Sequence, residues 1–206
     1  MDYWNNILTE KSWSILLKLK KEKFNFTVIG GWAAYLWTNL HKSKDIDIVI
    51  NDFKDLDFLK KNYDLRKNDS LKKYEIKFDE IDLDIYTPFF SKFAIPAEDV
   101  IKYSAKIQGF NVIKPEALLI LKQNAEKERE YSVKGEKDRI DIMAIVFYSD
   151  LDFKEYFRLL KKYNSEDYYE RLIKIINSFK EIKYLNLNPR EFKLKKNKII
   201  KEIKLN

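Results

Sequence analysis

Apolar positions change their spacing near residue 112, from alternating strands and helices before it to helices alone after it. Residues 7–21 carry Ile7, Trp13, Leu16, Leu17 and Leu19 at helical intervals and predict a first helix. Residues 24–29, rich in β-branched and aromatic side chains, predict a strand ending at Gly30-Gly31. A short helix over 32–40 follows, containing Ala33, Ala34, Leu36 and Trp37. Residues 45–50, Asp-Ile-Asp-Ile-Val-Ile, alternate with period two and predict a strand with both carboxylates on one face. Residues 52–61 read as a helix. Residues 71–78 and 80–86 read as two strands joined by a tight turn at Asp79-Glu80, with Thr87-Pro88 ending the second. Residues 97–106 read as a helix, and Gly109 opens a turn into a strand over 110–113.

Pro115 suits the first position of a helix over 116–130, with Leu118, Leu119, Leu121 and Ala125 inward. Residues 131–136 read as a loop carrying Gly135. Helical spacing returns over 137–148, 152–163 and 165–180, and Ser165 followed by Glu166 and Asp167 has the chemistry of a helix start. Residues 190–206 alternate Lys with Ile and Leu and are compatible with a strand, a helix or a frayed end. The expected class is α/β (α+β), with a domain over 1–112 and a helical region over 113–206. No internal repeat and no Gly/Ser linker separates them, so the two are expected to pack together.

Composition narrows the chemistry. With 206 residues, 45% hydrophobic and 35% charged, the chain can bury a core and is not of disordered type. No apolar run reaches the roughly 18 residues of a membrane span, and Asp2 with no basic segment before an apolar stretch argues against a secretory signal. No Cys is present, which removes disulfides and thiolate metal sites and suits a cytoplasmic protein. The single His makes a His-based zinc site untenable, so any metal must be held by carboxylates, which select Mg, Mn or Ca. A net charge of +7 could attract nucleotides, nucleic acid or an acidic membrane face, although solvated Lys-rich faces are the plainer reading.

Three features carry candidate chemistry. Gly30-Gly31 lies where a strand turns into a helix; glycine lets the backbone approach a ligand, and the helix N-terminus offers free amides to a phosphate. Asp45 and Asp47 project from one strand face with Cβ atoms roughly 6–7 Å apart, and a cation between them would relieve their repulsion. Asp82-Leu83-Asp84, on a later strand, can supply a third carboxylate. Three such carboxylates can hold divalent ions that polarise a nucleotide's phosphates. Singly, each has a bland reading, as a turn or an exposed strand face. Their order along the chain is more specific than any member.

The stretch Gly30-Gly31-Trp32-Ala33, followed by His41-Lys42-Ser43-Lys44-Asp45-Ile46-Asp47, resembles the signature of the DNA polymerase beta-like nucleotidyltransferase superfamily. It is most similar to the small bacterial and archaeal branch with the aminoglycoside nucleotidyltransferases and AbiEii-type toxins. The later run Lys114-Pro115-Glu116-Ala117-Leu118-Leu119, with Lys122, Ala125, Arg129 and Lys137-Asp138-Arg139-Ile140-Asp141-Ile142, is similar to the helical segment after the catalytic sheet in that branch. Together these matches span about residues 24–146. The resemblance implies a nucleotidyltransferase fold: a mixed central sheet flanked by helices, then a C-terminal helical region. It implies an enzyme that transfers a nucleoside monophosphate from a nucleoside triphosphate to an acceptor hydroxyl, releasing pyrophosphate, with Mg2+ or Mn2+. The acceptor would be a small molecule, an RNA end or a protein side chain.

By the same resemblance Asp45 and Asp47 are metal ligands and a third strand Asp is ligand and general base. Asp84 is favoured because it directly precedes the strand end at 85–88, with Asp82 as the alternative. Gly30 and Gly31 would cradle the triphosphate, while Lys122, Lys137 and Asp141 are candidates for nucleotide or helix–sheet contacts. Many members carry Ser after the glycine pair, where its hydroxyl contacts a phosphate. Here Trp32 stands, as in aminoglycoside-type members, so backbone amides and Lys must serve instead; Lys42 and Lys44 are the candidates, against the plainer reading of a solvated turn.

His41 reads as an exposed loop residue, and Trp4, Trp13 and Trp37 as core or interface. Tyr168, Tyr169 and Tyr184 could stack bases but read more simply as packing. The basic run Lys193, Lys195, Lys196, Lys198, Lys201 and Lys204 could follow a nucleic-acid backbone, against a solvated amphipathic tail. That run and the basic surplus motivate a rival from another class, a non-catalytic or toxin–antitoxin-type protein of the same fold that binds nucleic acid or a partner protein.

Overall fold

The computed structural model describes residues 5–205, so the Trp4 expectation lies outside the described residues. The chain divides into two compact units, Met1–Lys114 and Pro115–Asn206.

The first unit is a seven-stranded mixed sheet with helices against it. Helix α1 spans Asn6–Leu19, and the Asn5 side chain accepts hydrogen bonds from the Ile7 and Leu8 amides at its start. Strand β1 (Phe26–Ile29) is buried at every position and runs into α2 (Gly30–Thr38), which Asn39 ends in the left-handed conformation. Strand β2 (Ile46–Ile50) leads to α3 (Phe53–Asn62), capped by Asp52. Three antiparallel strands follow: β3 (Arg66–Asn68), β4 (Lys73–Phe78) and β5 (Ile81–Tyr86). The short helix α4 (Ala97–Val100) and a 3-10 turn (Ile101–Tyr103) precede β6 (Ser104–Ile107) and β7 (Phe110–Ile113).

The strand order is β3-β4-β5-β2-β1-β7-β6. Strand β2 pairs parallel with β5, and β1 parallel with β7; the other neighbours are antiparallel. Ile46, Ile48, Leu83, Ile85, Val28 and Val112 are fully buried and form the sheet's core. Their removal from water is the main driving term for this unit.

The structure adds two strands that the sequence pattern does not predict and shortens one helix that it does. β3 and β6 are the sheet edges, three and four residues long; β3 has no apolar residue, and the Ala105/Ile107 alternation of β6 is too short to mark a strand. The helix expected over 97–106 stops at residue 103 because 104–107 is taken up by antiparallel pairing with β7. Leu71, expected in a strand, lies exposed in the turn before β4.

The second unit contains α5 (Pro115–Glu128), α6 (Val133–Tyr148), α7 (Phe153–Lys162), α8 (Asp167–Ser178) and α9 (Pro189–Leu205), with a 3-10 turn (Ile182–Leu185) before α9. Much of the loop expected over 131–136 is instead the first turn of α6. Ser132 caps it by accepting the Gly135 amide at 3.1 Å. A Cβ at Gly135 would stand 2.2 Å from the Arg129 carbonyl oxygen, so the glycine allows α6 to start close against the end of α5. Ser165 does not cap α8: its hydroxyl donates to the Tyr163 carbonyl at 3.1 Å, and Glu166 precedes the helix without a side-chain cap. The basic tail is a helix. No helix among the described residues is long and apolar enough to cross a membrane.

Candidate active site

The turn from β1 into α2 is built on a close approach. Ile29 pairs with Asp47 across β1 and β2, and Gly30 follows with φ +64°, a left-handed conformation that favours glycine. A Cβ at Gly30 would stand 2.1 Å from Asp47 Oδ2, a distance no side chain tolerates. A Cβ at Gly31 would stand 2.6 Å from Ser43 Oγ. The glycine pair therefore lets α2 begin directly beside the Asp47 carboxylate and the Ser43 hydroxyl. No side chain caps the N-terminus of α2, so its first amides are left without a side-chain acceptor.

Asp45 precedes β2 and Asp47 lies within it, two residues apart and hence on one face. The parallel register of β2 and β5 sets Asp47 directly beside Asp84. On the same face Tyr86 Oη donates to Asp47 Oδ1 at 3.5 Å, and the Tyr86 ring packs on Phe93 at 4.6 Å. Asp84 is mostly buried, with 15% of its side chain exposed, and its Oδ2 accepts from Lys73 Nζ at 2.6 Å. Burial, reinforced by the Asp47 charge, pushes the Asp84 carboxyl up to about 6 against the opposing pull of Lys73. Burial draws the Lys73 ammonium down, but its hydrogen bonds to Asp84 and Glu75 outweigh that and leave it above the ordinary lysine range. Asp45 Oδ1 is buried without a hydrogen-bond partner.

Asp82 sits one pleat from Asp84. It faces Lys77 at 3.8 Å, and its carboxylate is half-exposed. Between the two alternatives, the register puts Asp84 and not Asp82 beside Asp47.

The donor set is made of hard oxygens: Asp47 stands beside Asp84, and Asp45, two residues before Asp47, has a buried carboxylate oxygen without a hydrogen-bond partner. Carboxylate oxygens are the donor type that Mg2+ or Mn2+ takes. Among the described residues, no three His, Asp or Glu side chains are gathered closely enough to hold a metal ion. Asp84 is drawn instead onto Lys73.

No protein-family model matches the chain, and no curated protein sequence matches it significantly. Solved structures do match. JHP933 from Helicobacter pylori shares 15% identity at a TM-score of 0.52, over 97% of this chain and 94% of its own. The aminoglycoside nucleotidyltransferase ANT(2")-Ia, solved in complex with adenylyl-2"-tobramycin, shares 13% identity at a TM-score of 0.51, over 78% of this chain and 98% of its own. The chain has the nucleotidyltransferase fold.

Within that fold the remaining candidates fall in different places. Trp32 takes no part in the glycine turn: its ring is fully buried, donates from Nε1 to Ser12 Oγ at 2.9 Å and packs on Trp13 at 5.0 Å, tying α2 to α1. Trp37 donates to the Ile113 carbonyl at 2.8 Å. Lys42 is drawn to Glu10 at 2.5 Å and lies over the Tyr35 ring, so the structure gives it a partner other than a phosphate. Lys44 is half-exposed in the loop before β2.

Lys122 belongs to the second unit, buried between Asp141 at 2.6 Å and Asp138 at 3.4 Å, where it joins α5 to α6. Lys137 is half-buried on α6. Tyr168 and Tyr169 pack, the first donating to Asn124 and the second against Phe157. Four residues of the site are given no role by the sequence pattern: Lys73, Glu75, Tyr86, and Ser43, which lies inside the signature stretch. The first three gain meaning only from cross-strand register, and Ser43 only from its approach to Gly31.

Proposed function

We propose that this chain is a metal-dependent nucleotidyltransferase that moves a nucleoside monophosphate from a nucleoside triphosphate to an acceptor hydroxyl. The observation that carries this reading is the β2–β5 register: Asp47 stands beside a buried Asp84, with Gly30 fitted against Asp47 at an uncapped helix start. The Gly30 and Gly31 amides and the Ser43 hydroxyl line one end of the site and can donate to the triphosphate, with Lys44 nearby in sequence. Asp45 and Asp47 would hold Mg2+ or Mn2+, with Asp84 as a third donor. When bound, such an ion neutralises phosphate charge and stabilises the departing pyrophosphate.

The acceptor oxygen attacks the α-phosphorus, the bond from that phosphorus to the bridging oxygen breaks, and pyrophosphate leaves. Asp84 takes the acceptor's proton. Burial and the neighbouring Asp47 charge raise the affinity of the Asp84 carboxylate for that proton. Tyr86 steadies Asp47, and the Phe93 ring packs against Tyr86. A chain without cysteine suits the cytoplasm.

ANT(2")-Ia was solved with an adenylylated small molecule, so a small-molecule hydroxyl is the first acceptor class to test. The experiment incubates labelled nucleoside triphosphates and Mn2+ with the protein and, separately, an aminoglycoside panel, total RNA and a partner protein pool. Label transfer by wild type that Asp45→Ala abolishes is expected. Absence of transfer, together with metal-dependent nucleotide binding that Asp45→Ala leaves unchanged, would sink the proposal.

A further inference from the structure

Across the sheet from Asp47, a row of charged and polar side chains runs over four strands. Asn68 Nδ2 on β3 donates to Glu75 Oε1 on β4 at 3.0 Å. Lys73, two residues before Glu75 on the same strand face, reaches both Glu75 at 3.0 Å and Asp84 on β5 at 2.6 Å. Glu75 and Asp84 are cross-strand partners, and Asp84 in turn stands beside Asp47 on β2. The Lys73 side chain is 12% exposed, so this ammonium is fixed in the wall of the site. Of the two Asp84 carboxylate oxygens, Oδ2 is the one that accepts this Lys73 hydrogen bond.

Glu75 and Asp84 are thus served by the same cation. A buried carboxylate pair is costly without a positive charge close by, and an ammonium supplies that charge when no metal does. Lys73 has a second carboxylate to rest on, so it can release Asp84 without becoming a buried unpaired charge. Asn68, bonded to Glu75, fixes that resting place. The arrangement has the parts of an exchange: a resident cation, the ligand it covers, and a place to withdraw to.

We infer that Lys73 is a positioning residue, the resident counter-ion of Asp84, which a divalent cation must displace onto Glu75 to recruit Asp84 as a ligand. The inference rests on the nucleotidyltransferase reading above and concerns metal loading rather than the chemical step. It sets Lys73 and Glu75 in opposition. Removing the ammonium leaves Asp84 open to the metal, whereas removing the Glu75 charge leaves Lys73 with Asp84 as its sole anchor.

The test titrates Mn2+ into the full chain by calorimetry, without nucleotide, comparing wild type, Lys73→Met, Lys73→Arg and Glu75→Gln. Lys73→Met is expected to bind Mn2+ about tenfold tighter, the change that about 1.4 kcal/mol makes. Glu75→Gln is expected to bind more weakly than wild type, and Lys73→Arg to stay near it. In wild type, amine labelling of Lys73 read by mass spectrometry is expected to rise on Mn2+ addition. A purely structural strut would weaken binding in both Lys73→Met and Glu75→Gln, or in neither, and would leave the labelling unchanged; either result overturns the inference. If Lys73→Met does not fold, Glu75→Gln and the labelling decide, and unchanged or tighter binding in Glu75→Gln overturns it. Wild-type binding that Asp45→Ala abolishes, with Lys73→Met and Glu75→Gln moving together, defeats this inference alone. No Mn2+ binding by wild type defeats the reading beneath it.

Discussion

In the helical unit, the Glu126 carboxylate is 2% exposed and accepts from Arg139 at 3.0 Å and from Arg171 at 2.6 Å. Arg171 continues to Glu130, which also receives Lys174. Lys122 is buried between Asp138 and Asp141, and Arg129 closes on Asp138 at 2.6 Å. Each of these buried charges meets opposite charge on more than one side or on a neighbouring helix. In the sheet unit, Asp84 and Glu75 share the Lys73 ammonium, Asp45 Oδ1 is orphaned, and Asp84 is pushed up by burial and by Asp47. Both regions bury charge. One closes its network within itself; the other leaves a deficit of positive charge that a ligand can make good. A closed network belongs to stability, and an open one is where the proposed divalent cation would find its affinity.

The sharpest way to break this contrast is to remove Asp47. Asp47→Ala should lower nucleotidyl transfer by about a thousandfold, the upper end of what a single preorganised electrostatic group supplies. The apo protein should unfold at an equal or higher temperature, because the charge facing Asp84 is gone. Turnover assays paired with thermal melts in EDTA check both halves. A variant that loses activity only because it melts early would place Asp47 with the structural charges.

The reciprocal change lies in the helical unit. Glu126→Ala leaves Arg139 with the Glu130 carbonyl and Arg171 with Glu130 alone, and breaking a buried pair in this way costs about 3–5 kcal/mol. Urea unfolding should show that loss, while Mn2+ affinity measured well below the melting temperature stays at the wild-type value. A fall in Mn2+ affinity at full folding would erase the distinction between the two networks.

Asp84 sharpens the contrast through pH. Its folded value near 6 lies above the ordinary 3.8, so between those limits the unfolded chain has lost the proton and the folded chain still holds it. Folding then takes up a proton, and stability falls as pH rises through this window; below it the contribution is fully present, and above it fully lost. The total is about 3 kcal/mol, because each pH unit between the two values contributes about 1.4 kcal/mol. Unfolding free energies from urea titrations of wild type and Asp84→Asn, taken in EDTA at pH 4 and pH 7, should show most of this change, about 2 kcal/mol, in their difference, since the amide carries no charge at either pH. A flat difference would remove Asp84 from the open network.

What the sequence disclosed follows from how local each signal is. The β1–Gly30-Gly31–α2–β2 order and the Asp-x-Asp alternation are written in contiguous residues, and the fold observed is the one that stretch resembles. The helix expected over 52–61 is legible for the same reason and forms as Phe53–Asn62 behind the Asp52 cap. Strands β3 and β6 are not, because segments of three or four residues at a sheet edge take their shape from their ladder partners. The choice between Asp84 and Asp82 hangs on a parallel register with β2, a pairing across more than thirty residues of chain. Lys73 is invisible on the same ground: in a chain with 40 Lys and Arg residues, nothing local marks the one held between two carboxylates. Trp32 in place of a phosphate-binding hydroxyl looks like a loss, and the fold shows the indole employed elsewhere, in a buried bond to Ser12.

That reassignment leaves a hydroxyl to be found, and Ser43 is placed to supply it. It belongs to the loop before β2, and its Oγ comes so close to Gly31 that a Cβ there would stand 2.6 Å away. The side chain is half-buried beside the uncapped amides of α2, on the open side of the contrast. Ser43→Ala removes one neutral hydrogen bond to a phosphate, worth about 1 kcal/mol, and should weaken triphosphate binding by about fivefold while leaving Mn2+ binding and the melting temperature unchanged. The measurement is nucleoside triphosphate affinity by calorimetry with Mn2+ held saturating. Unchanged affinity would assign the phosphate contacts to the Gly30 and Gly31 amides alone. A loss of Mn2+ binding would instead mean that Ser43 shapes the Asp45–Asp47 turn, and the hydroxyl would join the metal side of the site rather than its phosphate side.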